Sequence, residues 1–537
     1  MNNKRLNIFI VLFFSIYAFV LFYNNGTISL WDQDEAAYAA FGKQMLYSRD
    51  YLIPHYVWSK IHRKPPLHFW LIALSYRIFG VNEFAVRFWT SISILLSVLI
   101  IFLSVRKLFD KKTAFFSSII FATNFFVILL AKIALTDALL LLFYSITGFS
   151  LIFFIGTQKK LYLLFFWTAI ALALLVKGPP IVIFAGMFFI LGLIFLNERK
   201  YVFKLHPWIY GILALMPLFW WGYMAWQADN GKFIRWLIDW YILKRVNSYV
   251  LGQTGPPGYY LLTFVVFFLP FFPFLFDVFK NSFVSLKNKE QPYIFFALWL
   301  ISGWFIYEFL KSKLPSYAIA AYPAISVMIA VEINKLLSEG KINLPLKIGQ
   351  IVKNLILFLF VILFFYYKNL YSLSFAFGLF FLLWLVLSIA ESLFLFFGHK
   401  GKYITSLFTE AIVISFVAFI FLYPKVDKMK NAPKRTAIYI KEVKDDAKAV
   451  VIENDFGRPP SLPFYIETIS KLPYKVEHQC DSIVKLYNSE EKYIFILDSL
   501  CFEKLKDSII ITNYKSISSY SPDRKGQRNY IIVRNFK

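Results

Sequence analysis

Stretches of about twenty predominantly apolar residues recur along this 537-residue chain, and no other feature constrains its fold as strongly. A continuous apolar stretch of roughly 18 residues or more is long enough to cross a bilayer as a helix. The first stretch runs from Leu6 to Tyr23 after Lys4 and Arg5. It lacks the small-residue site of a cleaved signal peptide, so we interpret it as a retained anchor. Charged residues are 17% of the chain, below the roughly 25% typical of soluble domains. The sequence therefore predicts a polytopic α-helical membrane protein.

The distribution of positive charge predicts the orientation of these helices. Every short loop on one side of the predicted membrane carries at least two Lys or Arg residues, such as Lys159 and Lys160, whereas the junctions on the other side carry few. The N-terminus is therefore predicted to be cytoplasmic and the C-terminus to lie outside. About thirteen spans are predicted, at about residues 6–23, 84–104, 114–131, 135–155, 161–177, 179–196, 207–226, 258–279, 291–310, 316–335, 348–367, 371–397 and 403–423.

The chain changes character after Pro424. Short runs rich in β-branched and aromatic residues occur at about 449–452, 493–497, 508–511 and 530–533, with helix-like segments at about 433–446, 461–470 and 481–489. This alternation predicts a small α/β domain over residues 424–537, outside the membrane, after a membrane domain of residues 1–423. Both cysteines, Cys480 and Cys501, lie in this part. A disulfide and two free thiols are both consistent with the sequence.

The loop between the first two predicted spans, residues 24–83, is long and highly charged for a connection between membrane helices. Asp32, Asp34 and Glu35 directly follow the first span, and the segment from Ala36 to Met45 has the pattern of a short amphipathic helix. A helix N-terminus favours carboxylates through its dipole. A structural role and a catalytic role therefore both remain open for these acids.

A basic segment of the same loop has the sequence Lys64-Pro65-Pro66-Leu67. Proline is favoured at the start of a helix, and the segment predicts a helix from Leu67 to Phe79 along the membrane surface. Lys64 then stands at the entrance of that helix. Its ammonium and the exposed N–H groups of the first turn can bind a phosphate together.

Further charged residues map to the same outer face. Asp137 lies at the outer end of an apolar helix, where an isolated acid costs roughly 2.5–3.5 kcal/mol, so we expect Lys132 or Arg87 as its partner. A structural ion pair explains Asp137 as readily as a functional role, and contact with lipid headgroups explains any single lysine. Several cations beside acids on one face nevertheless favour a site for a phosphate-bearing lipid. The other cations of this face are Lys177, Arg245 and Lys313.

These elements form an ordered set of motifs. They are Asp34-Glu35-x-x-Tyr38-Ala39, Lys64-Pro65-Pro66-Leu67, Gly80-x-Asn82-Glu83-Phe84-Ala85-x-Arg87, Thr136-Asp137, Lys177-Gly178-Pro179 and Ser312-Lys313-Leu314-Pro315-x-Tyr317. The set resembles the GT-C glycosyltransferases that use polyprenyl-phosphate sugars. Within the wider protein O-mannosyltransferase-like group, it is most similar to the lipid A aminoarabinose (4-amino-4-deoxy-L-arabinose) transferases. The resemblance covers about residues 1–423, and the C-terminal domain matches their periplasmic domain in position.

The resemblance implies a set of site residues. The implied catalytic residues are Asp34, Asp137 and Glu35, and the implied residues for the carrier phosphate are Lys64, Arg87, Arg245, Lys313, Tyr317 and Lys177. One departure concerns Arg63, which stands where relatives often carry an acid with a metal nearby. A divalent metal is therefore left open, with His55, His62 and His68 as candidate ligands.

The resemblance also implies a function and a location. The chain is expected to be an inverting transferase in the bacterial inner membrane. It would move a sugar, aminoarabinose or one like galacturonic acid, from undecaprenyl phosphate to lipid A or another periplasmic acceptor. The alternatives are transfer of a hexose to protein and a non-enzymatic lipid-phosphate transporter. The transporter is disfavoured because no inverted repeat is visible. The net charge of +25 is not accompanied by any nucleic-acid-binding motif, so no nucleic acid partner is expected.

Overall fold

The computed structural model of the protein is predominantly helical. It describes residues 3–56, 63–197, 199–244, 254–339, 342–368, 374–453, 460–508, 511, 514–521 and 526–536. The helices of the first half of the chain are α1 Asn3–Phe22, α2 Asp34–Ser48, α3 Leu67–Phe79, α4 Glu83–Leu108, α5 Lys111–Ala122, α6 Phe125–Lys132, α7 Thr136–Thr157, α8 Leu161–Lys177, α9 Pro180–Phe195, α10 Arg199–Val202, α11 Ile212–Asp229, α12 Lys232–Ile238 and α13 Tyr259–Phe267.

The second half contains the remaining helices and all the strands. The helices are α14 Leu275–Asn288, α15 Tyr293–Trp304, α16 Tyr322–Glu339, α17 Leu344–Tyr367, α18 Phe375–Phe396, α19 Lys400–Val417, α20 Tyr423–Lys430, α21 Ala432–Val443, α22 Ser461–Tyr465, α23 Cys480–Tyr487 and α24 Ser499–Ser508. The strands are β1 Ala449–Glu453, β2 Tyr474–Glu477, β3 Tyr493–Leu497, β4 Tyr514–Ser521 and β5 Gly526–Arg534. Short 3-10 or π segments are Phe203–Leu205, Pro207–Gly211, Asp239–Leu243, Leu269–Phe274, Phe305–Phe309, Pro315–Ala321, Ala418–Leu422 and Ile466–Ser470.

Several helices have the length and composition of membrane spans. Within the described ranges, seven are long and apolar enough to cross a membrane, and up to nine spans result if each of two bent helix pairs is counted as one. Helices α1, α3, α8, α9 and α15 contribute to a further set of shorter apolar helices. The prediction of a polytopic helical membrane protein agrees with this architecture, whereas the count of thirteen spans stays a prediction.

The first long loop folds into α2 and α3, which pack against each other. The helix predicted from Ala36 to Met45 is observed as Asp34–Ser48, and the helix predicted from Leu67 to Phe79 has those bounds. Close approach of the two helices requires a glycine, because a Cβ at Gly42 would overlap the Ile72 side chain. Most of α2 is buried, so its position is set by packing along nearly its whole length.

A buried ionic cluster joins α17, α18 and α19. The Nζ of Lys353 lies 2.7 Å from Glu391 Oε2, and it also donates to Glu410 Oε2 and to the Pro270 carbonyl. Trp384 donates its indole N–H to the second oxygen of Glu410. The charged side chains are no more than 1% exposed. Because a buried charge is stable only with partners, each of the three helices supplies a group that the other two require.

The C-terminal part contains a five-stranded mixed sheet in the order β2-β1-β3-β5-β4. Strand β1 pairs in parallel with β2 and β3, whereas β5 is antiparallel to both β3 and β4. The predicted runs at 449–452, 493–497 and 530–533 lie in β1, β3 and β5, and the structure joins Cys480 to Cys501 in a disulfide. The strand predicted at 508–511 is wrong at Ser508, which ends the amphipathic helix α24, and residues 509–510 lie outside the described residues.

The C-terminal part packs directly on the loop that contains α2. The Tyr465 hydroxyl accepts the Leu30 N–H at 2.8 Å and donates to Glu83 Oε1 at 3.1 Å. The Ser461 N–H donates to Asp32 Oδ1 at 3.1 Å. These contacts connect residues more than 350 positions apart in the chain. The C-terminal part therefore helps to hold the loop in place.

Replacing Lys353 with methionine should destabilise the protein strongly. The change leaves two buried carboxylates without their cation, a loss that typically costs about 3–5 kcal/mol. The measurement is the midpoint of thermal unfolding in detergent, with the exposed Lys402 changed to methionine as the matched control. Adding Glu391→Gln and Glu410→Gln should recover much of the loss. Equal midpoints for Lys353→Met and Lys402→Met would show that the cluster does not determine stability.

Candidate functional site

The site is built on a buried ion pair between Glu35, in the first turn of α2, and Arg87, in α4. Arg87 Nε lies 2.7 Å from Glu35 Oε1, and its Nη2 lies 2.9 Å from Oε2. Both side chains are completely buried. Burial raises the pKa of Glu35, but Arg87, Lys430 and the Trp31 N–H together outweigh this effect, and the pKa lies below its ordinary value. The pair is therefore ionised and bidentate, which is the strongest common form of a charged hydrogen bond.

This ion pair also forms hydrogen bonds with backbone groups of two further segments. Arg87 donates to the carbonyls of Asn25, Ile28 and Ser29 at 2.7–3.0 Å. Glu35 accepts the Trp31 N–H at 2.7 Å, and it accepts the Ala134 N–H between α6 and α7 at 2.9 Å. The segment before α2, the helix itself and the α6–α7 junction are thus fixed relative to α4. The geometry assigns Glu35 and Arg87 a positioning role, and their predicted contacts with substrate stay predictions.

Lys64 lies between two tyrosines, Tyr38 of α2 and Tyr241. Its Nζ is 5.1 Å from the ring centroids of both Tyr38 and Tyr241, and it donates to the Tyr241 hydroxyl at 3.2 Å. Tyr38 in turn donates to Asp34 Oδ1 at 3.3 Å. Asp34 is the first residue of α2 and is exposed, whereas Lys64 is only 7% exposed. An exposed carboxylate and a shielded ammonium therefore belong to one connected group.

The Lys64 ammonium is held in its charged form. Burial opposes the charge, but the neighbouring oxygens of Tyr241 and Tyr38 favour it more strongly, and Asp34 adds to their effect. The pKa of Lys64 therefore lies well above its ordinary value. Since a raised lysine pKa keeps the proton bound, Lys64 stays cationic at neutral and moderately alkaline pH. A shielded permanent cation of this kind is suited to binding a phosphate.

Asp137 forms an ion pair that differs from the expected one. Its Oδ1 lies 2.6 Å from Lys177 Nζ, at the end of α8. The expectation that Lys132 or Arg87 is its partner was wrong, because Arg87 is paired with Glu35, and Lys132 donates to the Tyr23 carbonyl at 2.6 Å. Lys177 also lies 6.0 Å from the ring centroid of Tyr317. The structure thus brings together Asp137, Lys177 and Tyr317, which are distant in sequence.

Lys313 is anchored to the loop that precedes α13. Its Nζ lies 3.3 Å from Glu308 Oε2 and donates to the Pro256 carbonyl at 3.1 Å. Glu308 also accepts the N–H groups of Gly258 and Tyr260 at 3.2 Å. Lys313 therefore organises this loop, and its predicted role in binding phosphate stays a prediction. Arg245 lies outside the described residues.

His68, on the first turn of α3, links the Lys64 and Asp137 groups. The ring is fully buried, and its Nε2–H donates to the Ala134 carbonyl at 3.0 Å. Burial lowers the pKa of His68 to about 4, and both Lys64 and Asp137 act on it electrostatically. The imidazole is therefore neutral at pH 7. The two charged groups thus face the same buried side chain.

Two residues of the site, Tyr241 and His68, were missed by sequence reasoning. The sequence left open whether the site binds a divalent metal. Tyr241 lies in the π segment Asp239–Leu243, and its only signal was an aromatic residue in an outer loop. His68 was considered only as a metal ligand. In the described part of the chain, no group of three or more His, Cys, Asp or Glu side chains is arranged to hold a metal ion. His62 lies outside that part, and we assign no step to a metal.

The fold is that of a known membrane glycosyltransferase. The crystal structure of ArnT from Cupriavidus metallidurans bound to undecaprenyl phosphate superposes with a TM-score of 0.74, at 17% identity, over 98% of both chains. The chain has the ArnT fold. An apo structure of the same protein superposes with a TM-score of 0.73. Since the match covers both the helices and the C-terminal part, the whole chain follows the ArnT architecture, which is of the GT-C type.

Sequence comparisons support the same resemblance to ArnT. The model of the dolichyl-phosphate-mannose-protein mannosyltransferase family matches residues 63–223. An uncharacterized protein of Aquifex aeolicus is 31% identical over 318 residues, which are 58% of this chain and 61% of that protein. The undecaprenyl phosphate-α-4-amino-4-deoxy-L-arabinose arabinosyl transferase of Wigglesworthia glossinidia brevipalpis is 25% identical over 92% of this chain and 88% of its own length. The predicted resemblance to ArnT-like glycosyltransferases is thereby confirmed. The family description and the Wigglesworthia relative both name glycosyltransferases with polyprenyl-phosphate-linked sugars.

Replacing Arg87 with methionine should destabilise this ArnT-like protein by about 3–5 kcal/mol, because the change strands the buried Glu35 carboxylate. The thermal unfolding midpoint should fall well below that of Arg77→Met, a control at an exposed arginine of α3. Adding Glu35→Gln should recover part of the loss. An unchanged midpoint together with a specific loss of carrier binding would contradict the positioning role, and would place Arg87 on the phosphate.

Proposed function

We propose that this chain is an inverting glycosyltransferase of the bacterial inner membrane. It moves a sugar from an undecaprenyl-phosphate carrier to lipid A or a related periplasmic glycolipid, and aminoarabinose and galacturonic acid are the favoured sugar classes. The observation that carries the proposal is the Lys64 group, a shielded cation beside the exposed Asp34, within the fold of ArnT. The names of the arabinosyl transferase relatives support the donor class.

The chemistry of the leaving group explains why the site contains so many cations. When the bond between the sugar and the carrier breaks, a phosphate monoester departs with increased negative charge. Fixed cations that face this developing charge stabilise it in the transition state. Lys64 supplies the central cation, with its charge held by the Tyr38 and Tyr241 oxygens. Lys177, paired with Asp137, and Lys313 are proposed to contact the carrier at the edge of the same site, as is Arg245.

Asp34 is proposed to act on the acceptor. Its carboxylate is exposed and is connected to Lys64 through Tyr38. In that position it can accept a proton from an acceptor hydroxyl or stabilise the oxocarbenium-like carbon. Where the acceptor is itself an anionic phosphate, orientation matters more than proton removal. Asp137 is proposed as a second acid that keeps Lys177 in place.

The proposed topology puts this chemistry on the periplasmic side. This topology has thirteen spans and a cytoplasmic N-terminus. The loop of residues 24–83 and the domain of residues 424–537 then both lie outside. The direct packing of Tyr465 and Ser461 on that loop supports placing the two segments on the same side. A disulfide between Cys480 and Cys501 is compatible with an oxidising compartment.

A second candidate is transfer of a hexose to protein hydroxyl groups. It is favoured by the family model that matches residues 63–223, whose description is a protein mannosyltransferase. Its donor chemistry is the same, so the two candidates differ in the acceptor alone. A panel of lipid and peptide acceptors therefore distinguishes them.

The function is tested by mixing purified protein with lipid A and a panel of undecaprenyl-phosphate sugars, and reading the lipid product by mass spectrometry. One sugar should add its mass to lipid A. The Asp34→Asn variant should lower kcat by about 100-fold or more, because a positioned base typically contributes 10²–10⁴-fold. The matched control is Asp50→Asn, a carboxylate that caps the Leu52 N–H in the loop after α2. Product on peptides only would favour the second candidate, and full activity of Asp34→Asn would contradict the role of Asp34.

A further inference from the structure

A cavity of about 460 Å³ lies between α2 and the C-terminal part of the chain. Lys43 is nine residues after Asp34, which puts it about 180° around the helix, so the cavity is on the face of α2 opposite Asp34. Its volume is within the roughly 300–1,000 Å³ of small-molecule sites. Its lining includes Lys43, Gln44, Tyr47, Tyr56, Arg63 and Tyr474.

The charged side chains of this cavity favour an anion. Lys43 and Arg63 are its cations, and Glu467, 2.7 Å from Lys43 Nζ, is its carboxylate. Arg63 Nη2 lies 3.5 Å from His55 Nδ1, and the Nε of Arg63 is buried without a hydrogen-bond partner in the described part of the chain. Two cations and one carboxylate give the lining a net positive charge. A buried guanidinium N–H without a partner is costly, and an anionic ligand would satisfy it.

The uncharged side chains favour a sugar ring. The Gln44 Oε1 atom is buried and has no hydrogen-bond partner among the described residues, so it can accept a bond from a ligand hydroxyl. Tyr47, Tyr56 and Tyr474 present aromatic rings to the same space. A sugar has C–H faces that pack on aromatic rings and hydroxyls that bond to amides. Lipid tails would leave the Gln44 and Arg63 atoms unsatisfied.

We propose that this cavity binds the anionic saccharide headgroup of the acceptor. The proposal rests on the proposed function and specifies where the acceptor is held. Arg63 lines the cavity, and the next residue, Lys64, lies in the carrier-phosphate group. Their Cα atoms are about 3.8 Å apart, so the loop connects the cavity directly to the carrier-phosphate group. Because Asp34 lies on the opposite face of α2, the part of the headgroup held in the cavity is not the part that reacts. The C-terminal part contributes Glu467 and Tyr474, which makes it part of the acceptor site.

The first test separates acceptor binding from catalysis. Arg63→Gln and Tyr47→Ala should each raise the KM for the lipid acceptor about tenfold, with kcat and the donor KM within about twofold. Tyr47 is 69% exposed, so its change should leave the fold intact. Arg49→Gln, at an exposed arginine that ends α2, is the matched control and should change none of these constants. An unchanged acceptor KM in both variants, or a raised donor KM instead, would overturn the proposal.

The second test does not depend on transfer. Glucosamine 6-phosphate, glucosamine and inorganic phosphate are titrated into the full-length protein in detergent, and the heat of binding is measured. The phosphosugar should bind at least tenfold more tightly than either of the others, and Arg63→Gln and Gln44→Ala should each weaken its binding tenfold.

Equal binding of inorganic phosphate would overturn the saccharide assignment. If both variants bind the phosphosugar as tightly as the wild type does, the site assignment is wrong, even when the wild type transfers sugar to lipid A. If transfer is absent but the phosphosugar binds as described, the proposed function fails and the cavity assignment stands.

Discussion

The bidentate ion pair between Glu35 and Arg87 is the interaction on which the rest of the site depends. Its two side chains are completely buried, and between them they bond to backbone groups before α2 and at the α6–α7 junction. Removing two charges from water is expensive, and the cost is offset only where almost every polar atom has a partner. In this arrangement the backbone contacts of Arg87 and Glu35 supply those partners. Asp34 is the residue before Glu35, so its direction follows from the ion pair.

The C-terminal part holds the same loop from the other side of the chain's fold through separate contacts. Tyr465 bonds to Leu30 and Glu83, which lie close in sequence to the residues that Arg87 holds. Lys43 of α2 forms an ion pair with Glu467 at 2.7 Å. The sheet and its helices therefore contact the loop directly, in addition to their covalent connection to the last membrane helix. A side chain on a loop is positioned precisely only when neighbouring residues hold the loop, and here the C-terminal part contributes such contacts.

Much of the fold follows from local sequence patterns. The amphipathic pattern after Glu35 and the prolines before Leu67 located α2 and α3, because periodicity and helix-start signals are local. Three of the five strands were located by their apolar runs. Strands β2 and β4 were missed because they are half polar, and Ser508 was misassigned because it belongs to α24.

The site was only partly predictable, because its partners are remote in sequence. The Lys64 and Asp34 motifs were recognised, but Tyr241 joins Lys64 across 177 positions, and no local signal indicates such a contact. Asp137 has Lys177 rather than Lys132 because the α6–α7 junction turns Lys132 toward the Tyr23 carbonyl. The cavity of Arg63 and Gln44 arises only when α2 meets the C-terminal part. Pairings of this kind depend on the packed structure.

The most direct measurement of the central claim is the affinity of the purified protein for undecaprenyl phosphate at pH 7, compared between the wild type and Lys64→Met. If Lys64 holds the carrier phosphate, the variant should bind roughly ten- to hundredfold more weakly, since a hydrogen bond to a charged group contributes about 1.5–3 kcal/mol. Lys159→Met, at an exposed lysine between α7 and α8, should bind as the wild type does. Equal affinity of Lys64→Met and the wild type would contradict the account.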